Sequence, residues 1–149
     1  MQTLFDASGR QSVVERLDGL TPSSSRQWGK MDVAQMMAHC SAALAVATGD
    51  TPRKQALIGR IFAPFVKASL LGEKPFSRNS PTDPTFVVTD QKDFAREKER
   101  LTGLIGRFAE RGPELAGAQI HSFLGRLRGD EWGVMMYKHL DHHLKQFGA

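Results

Sequence analysis

The chain has 149 residues, 40% hydrophobic and 24% charged, with a formal net charge of +4 and a sequence pI of about 9.5. A chain of this length buries roughly two-thirds of the surface it exposes when unfolded, so one hydrophobic core suffices, and the composition excludes an intrinsically disordered chain. No apolar run approaches the ~20 residues of a membrane span, and the N-terminus lacks the apolar stretch of a signal peptide; the expected location is the cytoplasm.

The single cysteine, Cys40, excludes an intrachain disulfide and reads as a small buried hydrophobe, in keeping with a reducing compartment. Basic residues such as Arg53, Lys54, Arg96, Arg100, Arg126 and Arg128 are scattered and mostly stand beside acids. They form solvated faces rather than a nucleic-acid footprint, so neither a nucleic-acid nor a membrane partner is expected.

Ser8 is the expected cap of a first helix over about 9–19, where Val13, Val14, Leu17 and Leu20 recur at helical spacing before the Thr21-Pro22-Ser23-Ser24-Ser25 loop. Asp32 caps a second helix running to about Thr48 and closed by Gly49; its many alanines imply close packing. A third helix is predicted from about Gln55 to Leu71, with Leu57, Ile58, Ile61, Phe62, Phe65, Val66 and Leu70 repeating every three or four residues and Pro64 kinking it.

Glu73 to Thr89, with Pro75, Pro81 and Pro84, is expected to be a long irregular connection, a kind of loop that often lies over a functional site. Asp90 to about Arg111 reads as an amphipathic surface helix stopped by Gly112-Pro113. After a loop from Glu114 to Gly129, a last helix capped by Asp130 or Gly129 runs from about Glu131 to Phe147, with Trp132, Met136, Leu140 and Leu144 four apart. Five helical patterns without strand alternation or internal repeat argue for an all-α protein, a four-helix bundle with one extra short helix. A hairpin within the long loops is the one β element to be reckoned with.

The chemistry concentrates in the histidines. His139 and His143, at ~100° per residue, project from one face of the last helix about 40° apart, the spacing at which two imidazoles chelate one ion. The glutamate that follows the first histidine in a metalloprotease signature is absent, which disfavours that reaction. His39, in an apolar helix otherwise poor in polar residues, is the candidate third ligand. Three ligands leave an open position, the mark of a catalytic rather than a structural metal.

Structural explanations compete at each position. His142, His143 and Lys145 complement the helix dipole, His39 alone fits a satisfied core histidine, His142 can replace His143 as partner of His139, and His121 falls in a loop. Asp141 points away from the His139–His143 face towards solvent. Met36, Met37, Met135 and Met136 fit a core stripe or the floor of the site.

The segments Trp28-Gly29-Lys30-Met31-Asp32-Val33-Ala34-Gln35-Met36-Met37-Ala38-His39-Cys40 and Glu131-Trp132-Gly133 with Tyr137-Lys138-His139-Leu140-Asp141-His142-His143-Leu144-Lys145-Gln146-Phe147-Gly148 resemble the DinB/YfiT-like superfamily, and more narrowly one of its domain families of unknown function. The resemblance extends through Phe94, Glu97, Lys98 and Leu101 and through His121 to Leu127, covering nearly the whole chain as one domain. It implies a metal-binding four-helix bundle, often dimeric, with the divalent ion, zinc or nickel, on His39, His139 and His143. It also implies, as a possible reaction class, thiol-dependent transfer or isomerisation with low-molecular-weight thiols such as bacillithiol, mycothiol or glutathione; a hydrolase-like activity is the other metal-dependent expectation.

Ser122, Leu124 and Arg128-Gly129 depart from the family pattern, which bears on the shape of the loop before the last helix and leaves the histidines untouched. The alternative is a non-enzymatic binding or regulatory bundle that takes an anionic ligand or partner on its basic surface. A third possibility is a bundle that its metal merely stabilises.

Overall fold

A computed structural model describes residues 1–149. The chain forms five helices, α1 (Ala7–Asp18), α2 (Val33–Ala47), α3 (Leu57–Leu71), α4 (Phe94–Gly117) and α5 (Gly129–Gln146). A 3₁₀ turn at Pro84–Phe86 and a hairpin of β1 (Ile120–His121) and β2 (Gly125–Arg126) complete it. None of the helices is long and apolar enough to cross a membrane.

Local chemistry sets most of the boundaries. The Asp32 side chain accepts from the Gln35 amide at 2.8 Å and the Gln35 side chain accepts from the Asp32 amide at 2.9 Å, a reciprocal cap that starts α2. Asp93 caps α4 through the Arg96 amide at 2.8 Å. The first helix starts at Ala7, ahead of the expected Ser8 cap. The N-terminal segment folds back there, and Arg10 donates to the Leu4 and Phe5 carbonyls at 3.0 and 2.7 Å, so tertiary contacts hold the first turn.

Gly112-Pro113 interrupts α4 rather than ending it. Gly112 takes φ 76°, a region open to glycine, and the helix resumes from Pro113 to Gly117. The expected loop at 114–129 is therefore shorter, and the hairpin occupies part of it. At its turn the His121 ring accepts the Phe123 and Leu124 amides at 3.1 and 3.0 Å through Nδ1, and Ile120 pairs with Arg126 and His121 with Gly125.

Helices α1, α2, α4 and α5 pack around one cluster of 27 buried residues, in which Trp132, Phe108, Met36, Met37 and Leu44 are among the largest side chains. All four methionines at 36, 37, 135 and 136 belong to it. The helix that stands apart is α3, 15 residues long, which runs on through Pro64 and leans on α5 and the hairpin. Only its Gly59 and Ala63 are buried, whereas Leu57, Ile58, Ile61, Phe62 and Phe65 are 51–81% exposed.

Small and polar groups dock α3. A Cβ on Gly59 would collide with the Phe123 carbonyl, Ala56 N–H donates to Ser122 O at 2.8 Å, and Lys67 pairs with Glu131 at 3.0 Å. Buried Lys138 of α5 donates to the carbonyls of Leu70 and Gly72 at 2.6 Å each, satisfying the C-terminal end of α3.

Candidate metal centre

His39 lies two turns into α2, beyond its Asp32 cap, and faces the last two turns of α5, where His139 and His143 project from one side. The three imidazoles form a nearly equilateral triangle, with ring centroids 4.9 Å apart for His39–His139, 4.8 Å for His39–His143 and 4.8 Å for His139–His143. One nitrogen of each lies within 4.8 Å of the other two, so the cluster could hold a metal ion. His39 and His143 are buried, at 3% and 8% exposure, and His139 is partly exposed.

The outer nitrogens are committed elsewhere. Nδ1 of His39 is 2.9 Å from the Phe86 carbonyl, which can only accept, so Nδ1 carries the proton. Nδ1 of His143 is 2.8 Å from Gln146 Oε1, and Gln146 is held in that orientation by donating its Nε2 hydrogen to the Trp28 carbonyl at 2.8 Å. With both Nδ1 atoms protonated, neutral His39 and His143 each have a lone pair at Nε2.

These lone pairs converge with the His139 ring. Nε2 of His39 and Nε2 of His139 stand 2.9 Å apart, and one imidazole proton can satisfy only one such contact. A cation among the three nitrogens satisfies all of them, and the hydrogen-bonded Nδ1 atoms are the supporting shell that orients histidine ligands. The donor set thus fits a divalent ion, whose ~2.0–2.1 Å bonds to imidazole nitrogen would part the 2.9 Å His39–His139 pair and draw in a set of nitrogens that lie within 4.8 Å of one another.

Burial keeps the rings neutral. It pushes the pKa of His143 down to about 3, with His39 adding to the effect and the Gln146 hydrogen bond opposing it. It lowers His39 against the opposing Phe86 hydrogen bond, and it drives His139 well below the ordinary value, helped by His143 and His39. At neutral pH all three rings are uncharged; His139 Nε2–H donates to the His39 Nε2 lone pair, and an ion would take the place of that shared proton.

The long connection between α3 and α4 does lie over this centre. Asp83 accepts from the Thr85 amide at 2.9 Å and shapes the 3₁₀ turn that aims the Phe86 carbonyl at His39. The segment before α2 closes the other side, where Gln27 N–H donates to the Gln146 carbonyl at 2.7 Å beside Trp28.

The remaining candidates separate. His142 turns outward, between Trp28 and Phe76, with ring centroids 5.5 and 6.0 Å away. His121 holds the hairpin turn through Nδ1, and burial lowers its pKa to about 4, against the opposing pull of Asp83. Cys40, adjacent to His39 in sequence, is fully buried against Met36, where burial raises its thiol pKa and leaves it inert.

Asp141 points away from the triangle, as expected, but is not merely solvated: its carboxylate meets Arg16 of α1 at 2.9 Å and Lys145 at 2.8 Å. Gln146, by contrast, escapes the sequence reading. Its place three residues after His143 was the available signal, whereas a main-chain acceptor such as the Phe86 carbonyl leaves no trace in residue identity.

The chain belongs to the family described as "Protein of unknown function (DUF1569)", whose model matches residues 4–149. No curated protein and no solved structure matches the chain.

Proposed function

We propose that this chain is a metal-dependent enzyme of the DinB/YfiT-like kind in which His39, His139 and His143 hold one divalent ion, zinc or nickel. The observation that carries the proposal is the convergence of three neutral imidazoles whose supporting hydrogen bonds, to Phe86 and to Gln146, free the nitrogens facing one another. Held by His39, His139 and His143, such an ion would supply Lewis-acid chemistry, lowering the pKa of a bound water or thiol.

The protein's own part is to fix the rings. The Phe86 carbonyl and Gln146 set the tautomers of His39 and His143. This arrangement suits a thiol-dependent transferase or a hydrolase-like activity on a small molecule, and the sequence resemblance favours the thiol. Elemental analysis of tag-free protein purified without added metal tests the site: about one ion per chain in the wild type, lost in His139→Ala, is expected. A folded wild-type protein that takes up no divalent ion contradicts it.

The proposal includes a homodimer formed across α3. Its exposed leucine, isoleucines and phenylalanines offer on the order of 600 Å² of apolar surface per copy, approaching the ~800 Å² per partner of a standard interface. A patch of this size stands at the upper end of what a typical monomer exposes, where such patches often mark interaction sites. Sedimentation velocity should show a dimer for the wild type and a folded monomer for Phe65→Glu; a wild-type monomer at high concentration contradicts the dimer without touching the metal site.

A further inference from the structure

Beside the three histidines, outside their triangle, a cavity of about 450 Å³ opens where the C-terminal end of α5 meets the segment before α2 and the start of the α3–α4 connection. Its volume falls within the ~300–1,000 Å³ range of small-molecule sites. Trp28 and Phe76 form apolar walls, and His142, whose ring lies 5.1 Å from that of His143, separates the cavity from the metal centre.

Its charges are unevenly matched. Asp141 is already engaged by Arg16 and Lys145, and the main-chain oxygen of Ala149 accepts from Arg16 at 3.0 Å. The guanidinium of Arg78 lies 4.4 Å from the Trp28 ring centroid, stacked on its face, and has neither an ion-pair nor a hydrogen-bond partner. A stacked guanidinium is held in place with its N–H donors free, an arrangement that reads planar oxyanions through two parallel hydrogen bonds.

We infer that this cavity is a second binding site, separate from the three-histidine centre, for a small organic oxyanion with an apolar body. Arg78 takes the carboxylate or phosphate, and Trp28, Pro75 and Phe76 cover the body. Nothing in this assignment requires an ion on the histidines, so the site stands or falls independently of the metal.

The test is calorimetric titration of the full chain with benzoate and with phenyl phosphate, using benzamide as the uncharged control, while metal content is measured in the same preparations. Expected is one-to-one binding of at least one anion in the millimolar range or tighter, with benzamide at least about tenfold weaker. Arg78→Leu, a change at an exposed loop position, should weaken the anion by about tenfold or more, Arg78→Lys should restore part of the loss, and neither should alter metal content. Tighter phenyl phosphate marks a phosphate ligand and tighter benzoate a carboxylate. No saturable binding of either anion, benzamide binding as well as the anions, or unchanged affinity in Arg78→Leu overturns the assignment.

Discussion

Helices α2 and α3 are both 15 residues long and both dominated by apolar side chains, yet 13 residues of α2 are buried and only two of α3. In α2 the small residues and the large ones alike face neighbours, because α4, α5 and the hairpin surround it. In α3 Ala63 joins the core and Val66, Leu70 and Leu71 pack half-buried against it, while Lys67 and Lys138 add polar contacts and the larger side chains from Leu57 to Phe65 stay exposed. Apolar periodicity reports how a helix is patterned, while the partner that covers the pattern is a separate matter. For α2 that partner lies within the chain and fixes His39; for α3 we assign it to a second copy.

The sharpest way to break this contrast is truncation. Leu44→Ala in α2, at a position 1% exposed, should cost about 2–5 kcal/mol in urea unfolding, through lost burial and the cavity left behind. Ile61→Ala in α3, at a position 57% exposed, should stay within about 0.5 kcal/mol at concentrations where the chain is monomeric. Equal costs for the two would mean that α3 is covered from within the chain.

A smaller effect sharpens the rigid side. Gln146→Leu removes the acceptor of His143 Nδ1–H and also the donor to the Trp28 carbonyl. Loss of a supporting partner of this kind weakens metal binding by about 10–100-fold, which competition with a chromophoric chelator measures. An unchanged affinity would show that packing alone orients His143.

The smallest effect concerns the hairpin that bridges α2 and α3. His121 has its pKa lowered by burial from 6.5 to about 4, so its contribution to stability is complete above pH 6.5. It declines as the pH falls from 6.5 towards 4, because the unfolded chain takes up a proton that the folded ring refuses. In His121→Asn, whose side-chain carbonyl can still accept the turn amides, the urea midpoint should fall less steeply across that window. Identical slopes would mean that His121 is protonated without disturbing the turn.

Much of this was legible from residue types. Asp32 announces the start of α2, the spacing of His139 and His143 puts two rings on one face, and an imidazole in an alanine-rich helix marks His39 as a third. What was not legible depends on contacts distant in sequence. The outward turn of Leu57, Ile61 and Phe65 follows from Gly59 meeting the hairpin, and a hairpin with two-residue strands carries no alternation to detect. The start of α1 is set by Arg10 reaching back to Leu4 and Phe5, and the cavity at Arg78 joins three segments that only the fold brings together.

X-ray absorption of the zinc-loaded protein reads directly whether three imidazole nitrogens converge on one ion. Expected is a stoichiometric ion with three imidazole nitrogens at about 2.0–2.1 Å and no sulfur, since Cys40 lies in the core. A shell containing sulfur, or one with a single imidazole, would contradict it.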